Sequence, residues 1–221
     1  MLNQRRPPGR THHASVRGYT LVELVIAVII VGVLLSLGLS SFIETIHNAR
    51  LRARAENILG GLQLAKLEAL KRNATVRFQL TDTLDASCTL LNSGPNWVVS
   101  IGSAAGICNT AADPTGNLIL AKSDAVSDTH IVLTAIDSGG TAASTFCFNS
   151  LGQLTTAGGC VGATNLRTDI NFVWDDPTTC RATPGSDGVA CLRVTVSPGG
   201  LVRLCDPSIP LANVTDSRRC S

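Results

Sequence analysis

Arg17-Gly18-Tyr19-Thr20-Leu21-Val22-Glu23-Leu24 opens a long apolar run, and its order of parts decides the architecture. From Leu24 to Ile43, twenty consecutive residues carry no formal charge. A helix of that length spans roughly 30 Å, about the hydrocarbon thickness of a bilayer. Upstream lie Arg5, Arg6, Arg10 and Arg17 with no acid between them, which places this leader on the cytoplasmic side of a membrane. A secretory signal runs basic start, apolar stretch, cut. Here the small residue Gly18 precedes the apolar stretch instead. Glu23 sits at the edge of the span, and an unpaired acid costs ~2.5–3.5 kcal/mol at a helix centre. A cut after Gly18 would free an ammonium on Tyr19, four residues from Glu23, and would remove the basic leader. Two other readings stay open: an ordinary signal peptide cut near Ser36-Leu37-Gly38, and a plain single-pass anchor.

Downstream of the run, no proline interrupts Thr20 to Arg72. Leu51, Ala55, Ile58, Leu62, Ala65 and Ala69 recur at helical spacing, with Arg50, Arg54, Asn57 and Glu68 elsewhere on the wheel. The pattern predicts one helix of about fifty residues, roughly 75 Å long. Its first half is apolar all round and its second half amphipathic. Gly60-Gly61 is a candidate bend. After Asn73 the period changes to two. Strands are predicted at Thr75–Leu80, Asn96–Ile101, Leu118–Ala121, His130–Ala135, Ser144–Asn149, Ile170–Trp174, Cys191–Val196 and Leu201–Leu204. Gly, Pro, Asn and Asp punctuate them, Asp175-Asp176 before Pro177 reading as a turn. A helix followed by a run of strands predicts an α+β fold with an antiparallel sheet. The expected organisation is a leader over 1–18, a transmembrane and assembly helix over 19–45, its amphipathic half over 46–72, and a β head domain over 73–221.

The whole chain carries 18 Lys+Arg against 16 Asp+Glu; without the four leader arginines the balance is 14 against 16. The processed chain is therefore not globally basic, and nucleic-acid binding would need a local patch. Eight cysteines, Cys88, Cys108, Cys147, Cys160, Cys180, Cys191, Cys205 and Cys220, all follow the apolar segment. An even count there suggests disulfides formed in an oxidising compartment. None are spaced C-x-x-C, and only His47 and His130 follow the leader, so no metal site is expected. About a hundred pairings are possible. Sequential pairing, Cys205–Cys220 above all, would close short loops worth ~3 kcal/mol each in the loop-entropy model.

Residues 17–24 resemble the prepilin peptidase site of type IV pilins and type II secretion pseudopilins: Gly, a hydrophobic first mature residue, then Thr-Leu-hydrophobic-Glu. Tyr19 stands where Phe is more usual. The resemblance implies cleavage after Gly18, N-methylation of Tyr19, and pairing of Glu23 with the terminal ammonium of a neighbouring subunit. Leu64-Ala65-Lys66-Leu67-Glu68-Ala69-Leu70-Lys71-Arg72-Asn73 resembles the helix end of the GspH/FimT family, with Lys66 in place of Arg. Thr145 to Gly152 resembles its central hairpin, and Arg193 to Cys205 its terminal hairpin. The implied fold is the pilin fold, a long amino-terminal helix packed on an antiparallel β head. The implied function is that of a minor pilin that joins or primes a filament, or of a minor pseudopilin of type II secretion.

Some members of that family resemble DNA receptors through G-R-x-R in the last hairpin. Here the stretch is Gly200-Leu201-Val202-Arg203, without the first arginine, and Arg218-Arg219 lie in the tail. A Cys205–Cys220 bond would draw those two toward Arg203, a patch for weak DNA binding opposed by Asp206 and Asp216. No G-x-S-x-G, phosphate-binding loop, His pair or helical carboxylate dyad is present, so no enzyme and no cofactor are expected. The expected partners are prepilin peptidase, other pilin or pseudopilin subunits, the inner membrane and, more weakly, DNA. The head is expected in the periplasm.

Overall fold

The computed structural model describes residues 18–116, 118–126, 128–160, 163–175, 177–186 and 188–220, apart from the side chains of 35–42. The leader residues Arg5, Arg6, Arg10 and Arg17, the side chains of Ser36-Leu37-Gly38, and Asp176 lie outside the described residues. The chain divides into two units, Met1–Phe42 and Ile43–Ser221. Helix α1 is Leu21–Arg72. In the first unit its described apolar side chains, Leu21 to Leu34, are exposed. Among the described residues no helix is long and apolar enough to cross a membrane. The run Leu24–Ile43 includes positions 35–42.

In the second unit the helical stripe is the core. Leu51, Ala55, Ile58, Leu62, Ala65 and Ala69 are all fully buried. The strands are β1 (Val76–Thr81), β2 (Asn96–Ser100), β3 (Ile119–Lys122), β4 (Ile131–Asp137), β5 (Thr145–Phe148), β6 (Thr168–Trp174), β7 (Leu192–Val196) and β8 (Val202–Cys205). They form two antiparallel sheets rather than one, ordered β3-β2-β1-β5 and β4-β6-β7-β8. The chain leaves the first sheet after β3, lays down β4, and returns to place β5 beside β1. Phe78, Trp97 and Phe146 of the first sheet and Phe172, Trp174 and Val194 of the second share one core with the helix. At about 1.5–3 kcal/mol per fully buried large apolar side chain, this shared core is the main reason the two sheets stay together.

Polar clasps fix the helix on both sheets. Trp97 Nε1 donates to Asn57 Oδ1 at 2.7 Å. The Ala190 amide donates to Asn48 Oδ1 at 2.7 Å, and His47 stacks on Trp174 at 4.0 Å. The helix runs through Gly60-Gly61 without a break. A Cβ on Gly61 would lie 2.7 Å from Phe78 Cε2 and 3.0 Å from Trp97 Cε2. The glycine therefore permits close approach of helix and sheet and marks no interruption. Strand β2 is buried on both faces, because the loops after β1 and β2 cover the back of the first sheet. There Cys88, Val98, Ala104, Cys108 and Ile119 form a second small core. The buried Gln79 carboxamide accepts from the Ala104 amide at 2.8 Å, so this polar group inside the sheet has its partner.

Candidate functional site

Gly18, Tyr19 and Thr20 precede the helix in irregular, exposed backbone, with Tyr19 84% exposed. A peptide bond outside a helix and open to solvent is one a protease can bind in extended form. Among the described residues, nothing lies within 4 Å of a Cβ built on Gly18, so crowding by them does not demand glycine there. The helix start has a feature the sequence carried openly. The Thr20 hydroxyl accepts from the Glu23 amide at 3.2 Å, and Thr-x-x-Glu is the capping-box spacing. Thr20 is thus the N-cap, and Glu23 lies in the first turn, where an acid favours the helix dipole. The Glu23 side chain is exposed.

The helix end joins three family-like segments at one place. Asn73 adopts φ +49°, and the amides of Asn73 and Ala74 return to the carbonyls of Leu70 and Ala69. This Schellman arrangement satisfies carbonyls that the helix end would otherwise leave bare. Arg72 Nε donates to Glu68 Oε2 at 2.8 Å, and its other nitrogens donate to the carbonyls of Gly116 and Pro114. Lys66 Nζ donates to the Gly200 carbonyl at 2.8 Å, which ties the helix to the β7–β8 turn. The Leu154 amide donates to the Pro198 carbonyl, so the turn after β5 meets the same spot.

Glu68 is buried, and Arg72 hydrogen bonding holds its carboxyl below the ordinary glutamate range, against the opposing effect of burial and with help from Lys71. A lowered folded pKa contributes stability above the unfolded value, about 4.3, and loses it as pH falls through the folded value. Glu68→Gln should therefore lower stability by about 1 kcal/mol at neutral pH. The difference from wild type should close as pH falls below the unfolded glutamate value, about 4.3, and through the lower folded one. Thermal unfolding of both proteins across pH checks this; a pH-independent difference removes the ion pair as its cause.

All eight cysteines pair in sequential order: Cys88–Cys108, Cys147–Cys160, Cys180–Cys191 and Cys205–Cys220. The last bond draws the tail back, and the Asp206 amide donates to the Arg218 carbonyl at 2.7 Å. The three arginines nevertheless do not share one face. Arg203 donates to the Ser217 carbonyl at 3.1 Å. Arg218 lines a groove beside Asn48 and Arg52 of the helix and pairs with Asp216 at 2.8 Å, which holds that carboxyl down to about 2. Arg219 lines a different cleft with Arg167 and Arg193. The tail turns here, with the Arg219 amide donating to the Asp216 carbonyl, so a Cys205–Cys220 bond brings both arginines close while their side chains line different clefts. Arg167 and Arg193 were not singled out in the sequence, because only strand register reveals that they share a face.

The family model described as type II transport protein GspH matches residues 54–200, and the one described as prokaryotic N-terminal methylation motif matches residues 14–39. A methylation motif over the start of a long helix, with an antiparallel α+β head, defines a pilin-like protein, structural rather than catalytic. Within that class the chain belongs to the GspH family. No curated protein matches the sequence. Two crystal structures of the Pseudomonas aeruginosa type IV minor pilin FimU are similar to it. One has 13% identity and a TM-score of 0.44, over 71% of this chain and 93% of that one. The other has 15% identity and a TM-score of 0.43, over 72% and 90%.

Proposed function

We propose that this chain is a minor pilin of a type IV pilus, processed by prepilin peptidase after Gly18, N-methylated on Tyr19, and built into the filament or priming its assembly. The methylation motif over residues 14–39, with its scissile bond exposed ahead of the helix, carries this reading. Before assembly the helix over 19–45 anchors the protein once in the bacterial inner membrane, with the amphipathic half over 46–72 and the head over 73–221 in the periplasm. The test is the amino terminus of the protein purified from its own cells. Mass spectrometry should find N-methylated Tyr19; a start at Met1 or near Leu39 overturns the reading.

The description of the matching family model favours a second reading, a minor pseudopilin of a type II secretion system. Deleting the gene separates the two: loss of surface pili supports the first, loss of a secreted enzyme with pili intact the second. DNA contact through Arg203, Arg218 and Arg219 is a further proposal. Because Arg218 and Arg219 face different grooves, binding should be weak and nonspecific, with a shallow salt dependence. DNA titration of the full chain in detergent at low salt, beside the triple Arg→Gln variant of these positions, checks it. Identical curves remove the DNA role.

A further inference from the structure

The second sheet turns one face to the core and leaves the other face with a trough. Along β4, Leu133 and Ala135 are buried while Val132 and Ile136 are each 38% exposed. Register places Val132 beside Val173 and Thr134 beside Asn171, which in turn sits beside Arg193. These side chains floor a cavity of about 560 Å³, within the range of sites that hold ligands. Its walls are the segment closed by Cys180–Cys191 and the start of the tail at Pro207 and Ser208. The Arg181–Asp206 ion pair ties the two walls together.

Arg193 and Pro207 also line a second cleft, of about 510 Å³, so the two cavities adjoin. The character changes along the way. The first part is floored largely by aliphatic side chains. The second holds Arg167, Arg193 and Arg219. Arg167 Nε and Arg193 Nη1 contact the two oxygens of one carboxylate, Asp169, at 3.1 and 3.3 Å. Among the described residues, Arg219 Nη1 reaches a backbone carbonyl, that of Leu211, at 3.5 Å. Among the described residues that line this cleft, three carry guanidiniums and none a carboxylate, with Asp169 shared by Arg167 and Arg193 alone, which leaves an excess of positive charge there.

We propose that this trough docks an extended protein segment of a neighbouring filament subunit, apolar at one end and acidic at the other. The idea rests on the reading of the chain as a filament subunit, since that is what supplies a neighbour. Aliphatic side chains of the segment would cover Val132 and Ile136, and its carboxylates would neutralise the arginine end. A nucleic-acid strand fits less well. It calls for cations spread along the phosphate track and faces for base stacking, and the aliphatic half supplies neither.

The experiment is a fluorescence titration of the full chain in detergent with a labelled hexapeptide, acetyl-Leu-Val-Leu-Asp-Glu-Asp-amide. Its counterpart with three lysines for the three acids, and an oligothymidylate, serve as competing probes. The acidic peptide should bind better than both. V132E should weaken that binding on the order of tenfold, by placing a carboxylate on the apolar floor. Arg219→Gln should weaken it about threefold, as expected for a partly screened charge. It changes only a side chain outside the sheet, so it keeps the test open should V132E disturb folding. Equal binding of the lysine peptide, preference for the oligothymidylate, unchanged binding by Arg219→Gln, or no binding of the acidic peptide at about 1 mM overturns the proposal. The titration needs neither cleavage nor a filament, so its failure is distinguishable from a failure of the processing test.

Discussion

Gly200→Ala should destabilise the head by about 3 kcal/mol or more, the range reached when a new atom meets a backbone that cannot move aside. Gly200 holds φ +75°, and its added Cβ would run directly into the Gly152 carbonyl. Gly152 is itself at φ +72°, with its own Cβ direction 2.9 Å from Lys66 Cε. The β7–β8 turn, the turn after β5 and the helix end therefore leave no slack, and one of them must shift. Two substitutions separate the contributions. Gly140→Ala, at φ +84° with nothing within 4 Å, should cost only the left-handed strain, about 1–2 kcal/mol. Gly199→Ala would meet only Ser197 Oγ, at 4.0 Å, and should be nearly neutral. For a domain of this size, about 3 kcal/mol lowers Tm by roughly 6–12 °C. Thermal unfolding of the four proteins, read through tryptophan fluorescence, checks the ranking. Equal Tm values for Gly200→Ala and Gly140→Ala would sink the close-approach account.

Glu23→Ala should leave membrane insertion intact, since removing a charge from an apolar span is favourable, and should deplete the subunit from filaments. The proposed ion pair with a neighbour's Tyr19 ammonium is one physical ground. The first-turn position of Glu23 is another, because a Glu or Gln side chain three residues after the Thr20 cap completes the capping-box spacing. Glu23→Gln distinguishes them: it retains polarity near the cap but has no charge to offer a neighbour. If the ion pair acts, both variants are depleted alike. If only the capping box matters, Glu23→Gln keeps the side-chain acceptor and should stay close to wild type. Quantifying the subunit in purified pili beside its level in membranes is the measurement. Wild-type incorporation of both variants would remove the assembly role altogether.

Much of the fold was legible because burial repeats with the local geometry of the backbone. The spacing of Leu51, Ala55, Ile58, Leu62, Ala65 and Ala69 was sufficient to identify the buried stripe, since 3.6 residues per turn project it onto one side. Period two located all eight strands to within two residues, and only the ends drifted. The capping spacing at Thr20 and Glu23 is equally readable, as Thr-x-x-Glu at the head of an apolar run. Gly60-Gly61 was misread as a candidate bend. A glycine pair in a helix looks like weakness until the aromatic rings packed against it are known.

By itself, the sequence determined the helix, its buried stripe and the strand positions. All of these depend on neighbours a few residues apart. Tertiary structure alone decided that the strands divide into two sheets, that β5 returns to pair with β1 across some seventy residues of chain, and that Lys66 meets Gly200. It also decided that Arg218 and Arg219 part while Arg167, Arg193 and Arg219 gather beside an apolar trough. Strand pairing across long separations is chosen by the sum of many side-chain contacts against the entropy of closing the loop, and no local pattern records that sum.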